Sequence, residues 1–591
     1  MRPSKEPERL AAVAEPRPEG VMLQIIRSPK VYDVCIVGSG AGGGTTAKVL
    51  TEAGADVVML EGGPMWDSAT DSAMFAWNYD SPTRGWGGDL KPFGAYDGCL
   101  GGWDIDGEPY TVGTGAWRWF RGRMLGGRTH HWGRISLRFG PDDFRRRSID
   151  GYGDDWPITY DEMKPYYDKL DSFVGIFGTN HARETGLHNE PDGIFQPPPA
   201  PRAHELLIKR ACDRMKIPVV PSRLSILTQP LNGRAACHYC GQCGRGCATH
   251  SNFSSVSVML PPALATGRLT IVANAMAREV TVGADGLATG VSYIDTGTMT
   301  EHQVRARVVV LSASCCESAR LLLNSKSASF PDGLANSSGT VGRYLTDSTG
   351  LSVQGFIPAL LDTPRYNSDG VGGMHLYVPW WGDNKALGFP RGYHIELGGG
   401  FGMPGYGFGG GVENYPMGQG GGYGASLKED YRRHYGAFVN FAGRGEQVAR
   451  EDCYCEIDPN VVDKWGIPVL RFHHTWSDHE RLQAKHMQET FRGIIAEMGG
   501  TPTSAMPGVE TNYGLAVGGL IIHEAGATRM GNDPATSVLN RNCQAHDVKN
   551  LFVADGGPFV SQADKNLTWT IMALAWRTAE NLAEMRRRGE V

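Results

Sequence analysis

Four cysteines fall between positions 237 and 247, in the order Cys237-x-x-Cys240-x-x-Cys243-x-x-x-Cys247. Thiolates at these intervals can close around one centre, and C-x₂-C-x₂-C-x₃-C is the spacing of bacterial iron–sulfur runs. Gly241, Gly244 and Gly246 leave the backbone free to curl. Ala248 stands where a proline usually follows, and no second run exists to share a ligand, so a single cluster is expected. Zinc and disulfides are the alternatives. Structural zinc normally pairs two short knuckles across a longer gap, and four thiols this close together disfavour disulfides. A second string, Gly38-Ser39-Gly40-Ala41-Gly42-Gly43, has the form G-x-G-x-x-G. Gly38 permits a tight turn, Gly40 lets the backbone approach a pyrophosphate, and Gly43 lets a helix pack close to a strand.

These strings need elements to hold them. Val31 to Val37 (VYDVCIV) is a largely apolar run that suits a buried parallel strand. The glycine turn follows, then a helix-like stretch Thr45 to Ala53 and a second apolar strand Asp56 to Leu60. Together they read as the opening of a βαβ unit, whose helix N-terminus offers free N–H groups to a phosphate. Glu61, just after the second strand, is placed to accept from a ribose hydroxyl. Ala306 to Leu311 reads as another buried strand, followed by a helix-like Glu317 to Leu323. Near the C-terminus come a strand Leu551 to Ala554, a glycine turn, and a long helix from about Asn566 to Met585. Between roughly Thr346 and Gly514 the sequence is more β-like.

The fingerprint does not distinguish FAD from NAD. Arg123-Met124-Leu125-Gly126-Gly127-Arg128-Thr129-His130-His131-Trp132 does, because it resembles the flavin-wrapping loop of the glucose–methanol–choline (GMC) oxidoreductases. In that family the paired glycines, here Gly126 and Gly127, let backbone run against the flavin ring. Asp155-Trp156-Pro157-Ile158, with Tyr160 and Pro165-Tyr166-Tyr167, resembles a segment of the family's sugar-dehydrogenase branch. Val553-Ala554-Asp555-Gly556-Gly557 is similar to the second flavin contact, with Asp555 as its acid and Gly556 in its turn. The resemblance runs from about Val31 onward. It implies an α/β fold: a Rossmann-like FAD-binding domain of GMC type (residues 28–135, 251–345 and 515–591) with an inserted α+β substrate domain (136–250 and 346–514).

The phrase His523-Glu524-Ala525-Gly526-Ala527-Thr528-Arg529-Met530-Gly531 is similar to the family's H-x-x-G-T-x-R-M-G, with the threonine displaced by one place. The resemblance makes His523 the base that removes the substrate's hydroxyl proton and Asn566 its partner, although Leu567 replaces a common proline. A base of near-neutral pKa suits this step, because hydride leaves carbon only as the hydroxyl proton is lost. His131 stands where some sugar oxidases of the family bond histidine covalently to the flavin. The alternative is that His130 and His131 only pack over the edge of the flavin ring.

Catalytic subunits of bacterial FAD-linked glucose, fructose and sorbitol dehydrogenases share these motifs, and some carry a [3Fe–4S] cluster. For Cys237, Cys240, Cys243 and Cys247 the resemblance therefore implies a [3Fe–4S] or [4Fe–4S] cluster, a cytochrome c electron acceptor, and a sugar or glycoside substrate. The first 27 residues show no apolar h-region and no twin arginine. Such large subunits travel with a small subunit that carries an export signal, so a periplasmic location with that partner is expected and the cytoplasm is the alternative. No run of 18 apolar residues suggests a transmembrane helix. A net charge of −6 without a long Lys/Arg run excludes a nucleic-acid surface. Much of the glycine excess lies in Gly398 to Gly424, whose Phe401, Tyr406, Phe408, Tyr415 and Tyr423 could stack on sugar faces, with Trp380-Trp381 adding to the wall. A surface or partner-binding loop is the plainer reading. Oxidation would fall on C3 of a glycoside or on the anomeric carbon. The rival functions are a peroxide-forming sugar oxidase with structural zinc and a flavin-binding scaffold without turnover.

Overall fold

A computed structural model describes residues 30–71, 100–180, 185–241, 243–364, 370–400 and 424–591. The aromatic residues of the glycine-rich stretch, Phe401 to Tyr423, and the first 27 residues lie outside the described residues.

Five parallel strands, Leu269–Val272, Val57–Leu60, Val31–Val37, Thr300–Leu311 and Leu551–Val553, pair side by side in that order. Their registers line up Val272, Leu60, Val37, Leu311 and Val553 in one row. The residues that follow this row, among them Glu61, Gly38, Ser312 and Ala554, therefore share the carboxyl edge of the sheet. That edge is where ligands bind in open α/β sheets. The strands are apolar on both faces because helices cover them: Val34, Cys35, Ile36, Val57, Val58, Val308 and Val309 are wholly buried. Strand Thr300–Leu311 changes partners along its length. Its C-terminal half lies parallel to Val31–Val37, and its N-terminal half pairs antiparallel with Ala288–Asp295, which pairs in turn with Ala275–Val282.

Helix Ala41–Glu52 begins inside the glycine fingerprint, four residues earlier than the sequence suggests. Glycine is a poor helix former, so propensity placed the start too late. Packing overrides it, since a Cβ on Gly42 would stand 1.7 Å from the Ala554 carbonyl oxygen. Helix Thr568–Arg588 packs on Ala41–Glu52 and buries Trp569, Met572, Ala573, Trp576, Ala579 and Leu582 at helical spacing. Arg586, Arg587 and Arg588 occupy its last turn, where cations oppose the dipole, and Gly589 at φ 71° ends it.

A second sheet of six strands is antiparallel throughout. Strand Tyr393–Gly399 alternates cleanly. Tyr393, Ile395 and Leu397 enter a core with Phe441 and with Met487, Phe491 and Ile495 of helix Asp478–Glu497, whereas His394 and Glu396 face the other way. Trp380 and Trp381 belong to this core too. Trp380 packs on Tyr393, Phe389 and His486. They form no part of the cavity wall described next, which corrects the expectation drawn from an aromatic pair. Two adjacent rings in sequence signal burial without saying in which core.

Candidate active site

A cavity of about 470 Å³ opens along the carboxyl edge of the parallel sheet and runs to His523 and Asn566. At one end lies the glycine turn. Gly38 holds φ at 97°, and a Cβ there would strike the Ser312 carbonyl, so the turn needs glycine. A Cβ on Gly43 would meet the Gly38 carbonyl oxygen at 1.9 Å, which sets the close strand–helix approach. Gly40 has nothing within 4 Å of its would-be Cβ and lines the cavity. The helix that starts after it has no side-chain cap and no acid in its first turn, so its first N–H groups remain available to an anion.

Ser39 ties three segments together. Its hydroxyl donates to Glu61 Oε2, and its oxygen accepts the Gly126 N–H at 2.8 Å. Gly63 N–H donates to Glu61 Oε1 at 3.0 Å. Burial pushes the Glu61 carboxyl up, while Ser39 and Gly63 hold it down. Two of its acceptor positions are thus occupied, and a diol could take others. Asp555 is similarly enclosed: Ser318 Oγ donates to it at 2.5 Å and Gly557 N–H at 2.7 Å, and burial raises it to about 6. Gly556 lines the cavity beside it. Open space at Gly40, an uncapped helix start and an acid at the end of the second strand fit a dinucleotide flavin.

The loop Gly126–Trp132 adopts a short 3₁₀ turn at Gly127–His130 and separates the two histidines. His130 Nε2 donates to the Leu125 carbonyl at 2.8 Å, directed away from the cavity. His131 lines the cavity, with its ring 4.7 Å from that of Phe120. Burial lowers His131 to about 3, so it stands as neutral imidazole.

At the far end, His523 Nε2 and Asn566 Nδ2 are 3.4 Å apart. His523 Nδ1 meets Ser348 Oγ at 2.9 Å, and Gln562 Nε2 donates to the same hydroxyl at 2.9 Å. The His523 N–H donates to Asp347 Oδ1 at 2.9 Å, and its carbonyl accepts from Gln562. The ring is therefore fixed from both sides of its backbone. Burial, helped by Arg444, lowers His523 to about 3 and leaves it unprotonated. Sequence reasoning missed two neighbours. Asn566 Nδ2 donates to Glu396 Oε1 at 3.3 Å, and Arg444 Nη2 lies 3.4 Å from Glu396 Oε2. Burial would push Glu396 up, but Arg444, His394 and Asn566 hold it at about 2, so it is a carboxylate. The visible signal was the alternation Tyr393-His394-Ile395-Glu396-Leu397, which puts a charge opposite a core face.

The four clustered cysteines form no disulfide. Burial raises Cys237 to about 11, with Cys243, Cys240 and Cys247 contributing in the same direction. Cys237 and Cys243 pack against a small core that includes Ile135, a residue of the cavity wall. Among the described residues, however, no three His, Cys, Asp or Glu side chains converge as a metal site. The donor chemistry suits iron and sulfide, but the segment does not present a closed ligand set. No helix among the described residues is long and apolar enough to cross a membrane.

Comparison with known proteins places this geometry in a family context. Two family models described as GMC oxidoreductase match residues 41–349 and 449–575. The 2-methyl-1,2-propanediol dehydrogenase of Mycolicibacterium austroafricanum is 32% identical, over 93% of this chain and 95% of that protein. The fructose dehydrogenase large subunit of Gluconobacter japonicus is 24% identical, over 94% and 98%. The paromamine 6'-oxidase of Streptomyces fradiae is 26% identical, over 94% and 92%. A crystal structure of pyridoxine 4-oxidase superposes with a TM-score of 0.62 at 18% identity, covering 94% of this chain and 99% of that one.

Proposed function

Because this chain belongs to the GMC oxidoreductase family, which oxidises alcohol and sugar hydroxyls with FAD, we propose that it dehydrogenates a ring hydroxyl of a sugar or glycoside, at C3. The observation that carries this is the His523–Asn566 pair closing the cavity. Bound FAD supplies a two-electron acceptor for the hydride of the alcohol carbon. The Gly40 turn and the uncapped helix would hold its pyrophosphate, Glu61 its ribose, and Gly126, Gly127, His131 and Asp555 would surround the rest. His523 does the proton chemistry. With Nδ1–H donating to Ser348, Nε2 keeps its lone pair, and a substrate hydroxyl approaching Nε2 and Asn566 from the cavity gives its proton to Nε2. Asn566 orients that hydroxyl without competing for the proton. A carbonyl product remains.

For the electrons we infer a route through an iron–sulfur cluster on Cys237, Cys240, Cys243 and Cys247 to a cytochrome-type acceptor. The spacing supports it, as does the packing of Cys237 and Cys243, which form no disulfide, against the small core that contains Ile135 of the cavity wall. A small subunit with an export signal and a periplasmic location follow from the same reading, supported by the relative named as a large subunit. The C3 assignment draws support from the C-glycoside 3-oxidase of Microbacterium trichothecenolyticum, 27% identical over 51% of this chain. An oxidase is the second reading, favoured by the paromamine 6'-oxidase match. The deciding experiment reduces the flavin anaerobically with methyl glucoside, then offers cytochrome c or O₂. Bleaching by methyl glucoside and reoxidation by cytochrome support the proposal. Bleaching by free glucose alone, giving gluconolactone, places oxidation at C1, and fast reoxidation by O₂ makes it an oxidase. Replacing Cys243 with Ser should remove iron and cytochrome reduction while the flavin still bleaches; iron retained at the parent level would sink the relay.

A further inference from the structure

The antiparallel sheet contributes a charged pair, Glu396 and Arg444, to the end of the cavity at His523 and Asn566. His394 lies directly opposite Arg444 in the register of strands Tyr393–Gly399 and Phe438–Gly445, so Glu396 and Arg444 are diagonal neighbours on the face turned from the core. Both line the cavity, and their side chains keep 19% and 21% of their surface open. Their contact at 3.4 Å is longer than a tight charge-assisted bond. Among the described residues Arg444 makes one further bond, Nη1 donating to the Gly443 carbonyl at 2.9 Å, which leaves guanidinium N–H groups for another acceptor. Asn566 Oδ1 is buried without a hydrogen-bond partner among the described residues. Donors and acceptors thus stand unfilled immediately beside the proton-removing histidine.

We propose that Glu396 and Arg444 form the subsite for the hydroxyl on the carbon next to the one oxidised, so that the enzyme selects vicinal diols. This rests on the reading of His523 and Asn566 as the oxidising end of the cavity. Two gauche oxygens on neighbouring carbons are separated by about one hydrogen-bond length. That is close to the 3.3 Å between Asn566 Nδ2 and Glu396 Oε1, so a diol can span the two positions. The second hydroxyl donates to the carboxylate and accepts from the guanidinium, which uses both charges and neither lone. A free anion would meet Glu396 and a free cation Arg444, so the balanced pair suits a neutral polyol. A sugar and a small 1,2-diol present the same two oxygens, which unites substrates of very different size in one recognition element.

The test measures anaerobic flavin reduction with two matched pairs: 1,2-propanediol against 1-propanol, and methyl glucoside against its 2-deoxy and 4-deoxy analogues. In the parent enzyme, kcat/KM should fall about 10³-fold or more on losing the neighbouring hydroxyl, because charged groups are left unpaired. Arg444→Met should cut kcat/KM for the diol about 100-fold more than for the mono-alcohol, mainly through KM. Glu396→Gln, which keeps the amide-sized shape, should narrow the same ratio. Equal losses on both members of a pair, or a parent that does not distinguish them, would overturn the subsite while leaving the alcohol-oxidising reading intact. If no alcohol of either pair bleaches the flavin, that reading falls and the subsite with it.

Discussion

The two ends of the cavity are built from different materials. The end along the parallel sheet uses backbone: a left-handed glycine, an uncapped helix start and N–H groups, with a few buried acids holding the turns. The end at the antiparallel sheet uses side chains, His523, Asn566, Glu396 and Arg444, carried by four separate parts of the chain. Backbone geometry cannot be altered without altering the fold, so it suits a constant cofactor. Side chains can change while the strands beneath them keep their register, so they suit a substrate that differs between relatives. Damage to the first end should therefore be structural, and damage to the second chemical.

His523→Ala tests the chemical end with the largest effect. Turnover should drop about 10²–10⁴-fold, as for loss of a general base, while FAD content and the melting temperature stay near those of the parent. Turnover within a few-fold of the parent would remove His523 from its role. Gly42→Ala tests the structural end. A Cβ pressed against the Ala554 carbonyl forces backbone to move, at a cost of about 1–3 kcal/mol or more. Thermal unfolding and flavin absorbance should both report it, whereas kcat per bound flavin should hardly change; the reverse pattern would dissolve the distinction. Asn566→Ala should lower kcat about 10-fold, the value of one orienting hydrogen bond, again without loss of flavin. The smallest effect concerns pH. With His523 held at about 3, kcat/KM should show no acid limb near 6.5 and stay level between about pH 5 and 8. An acid limb near 7 would instead implicate Asp347, raised to about 7 by burial and Glu524.

The same contrast governs how much the sequence discloses. The glycine turn, Glu61 and the Asp555 turn are contiguous strings in which spacing and geometry coincide, and the strands that carry them are short apolar runs. The phrase around His523 is equally compact. Glu396 and Arg444 meet only through strand register, which no local string encodes, and Trp380 with Trp381 look like a binding wall until packing shows which core they enter. Helix Ala41–Glu52 begins where glycine propensity argues against it, because a neighbouring carbonyl decides the matter. The cysteine spacing is legible, yet whether four thiols converge depends on a loop whose path the spacing leaves open.

Strand Thr300–Leu311 sets the order in which the molecule can be made. Val309 pairs with Cys35 on one side and with Leu551 on the other, so its partners enter the growing chain at nearly opposite ends of synthesis. From the completion of this strand until Leu551 is made, one edge of it stands open, with Val309 and Val310 ready to recruit another extended segment. Ala288–Asp295, already laid antiparallel along the first half of the same strand, occupies part of that edge early. The hairpin covers Thr300 to Arg305 and leaves Val309 to Leu311 for the last strand, Leu551–Val553.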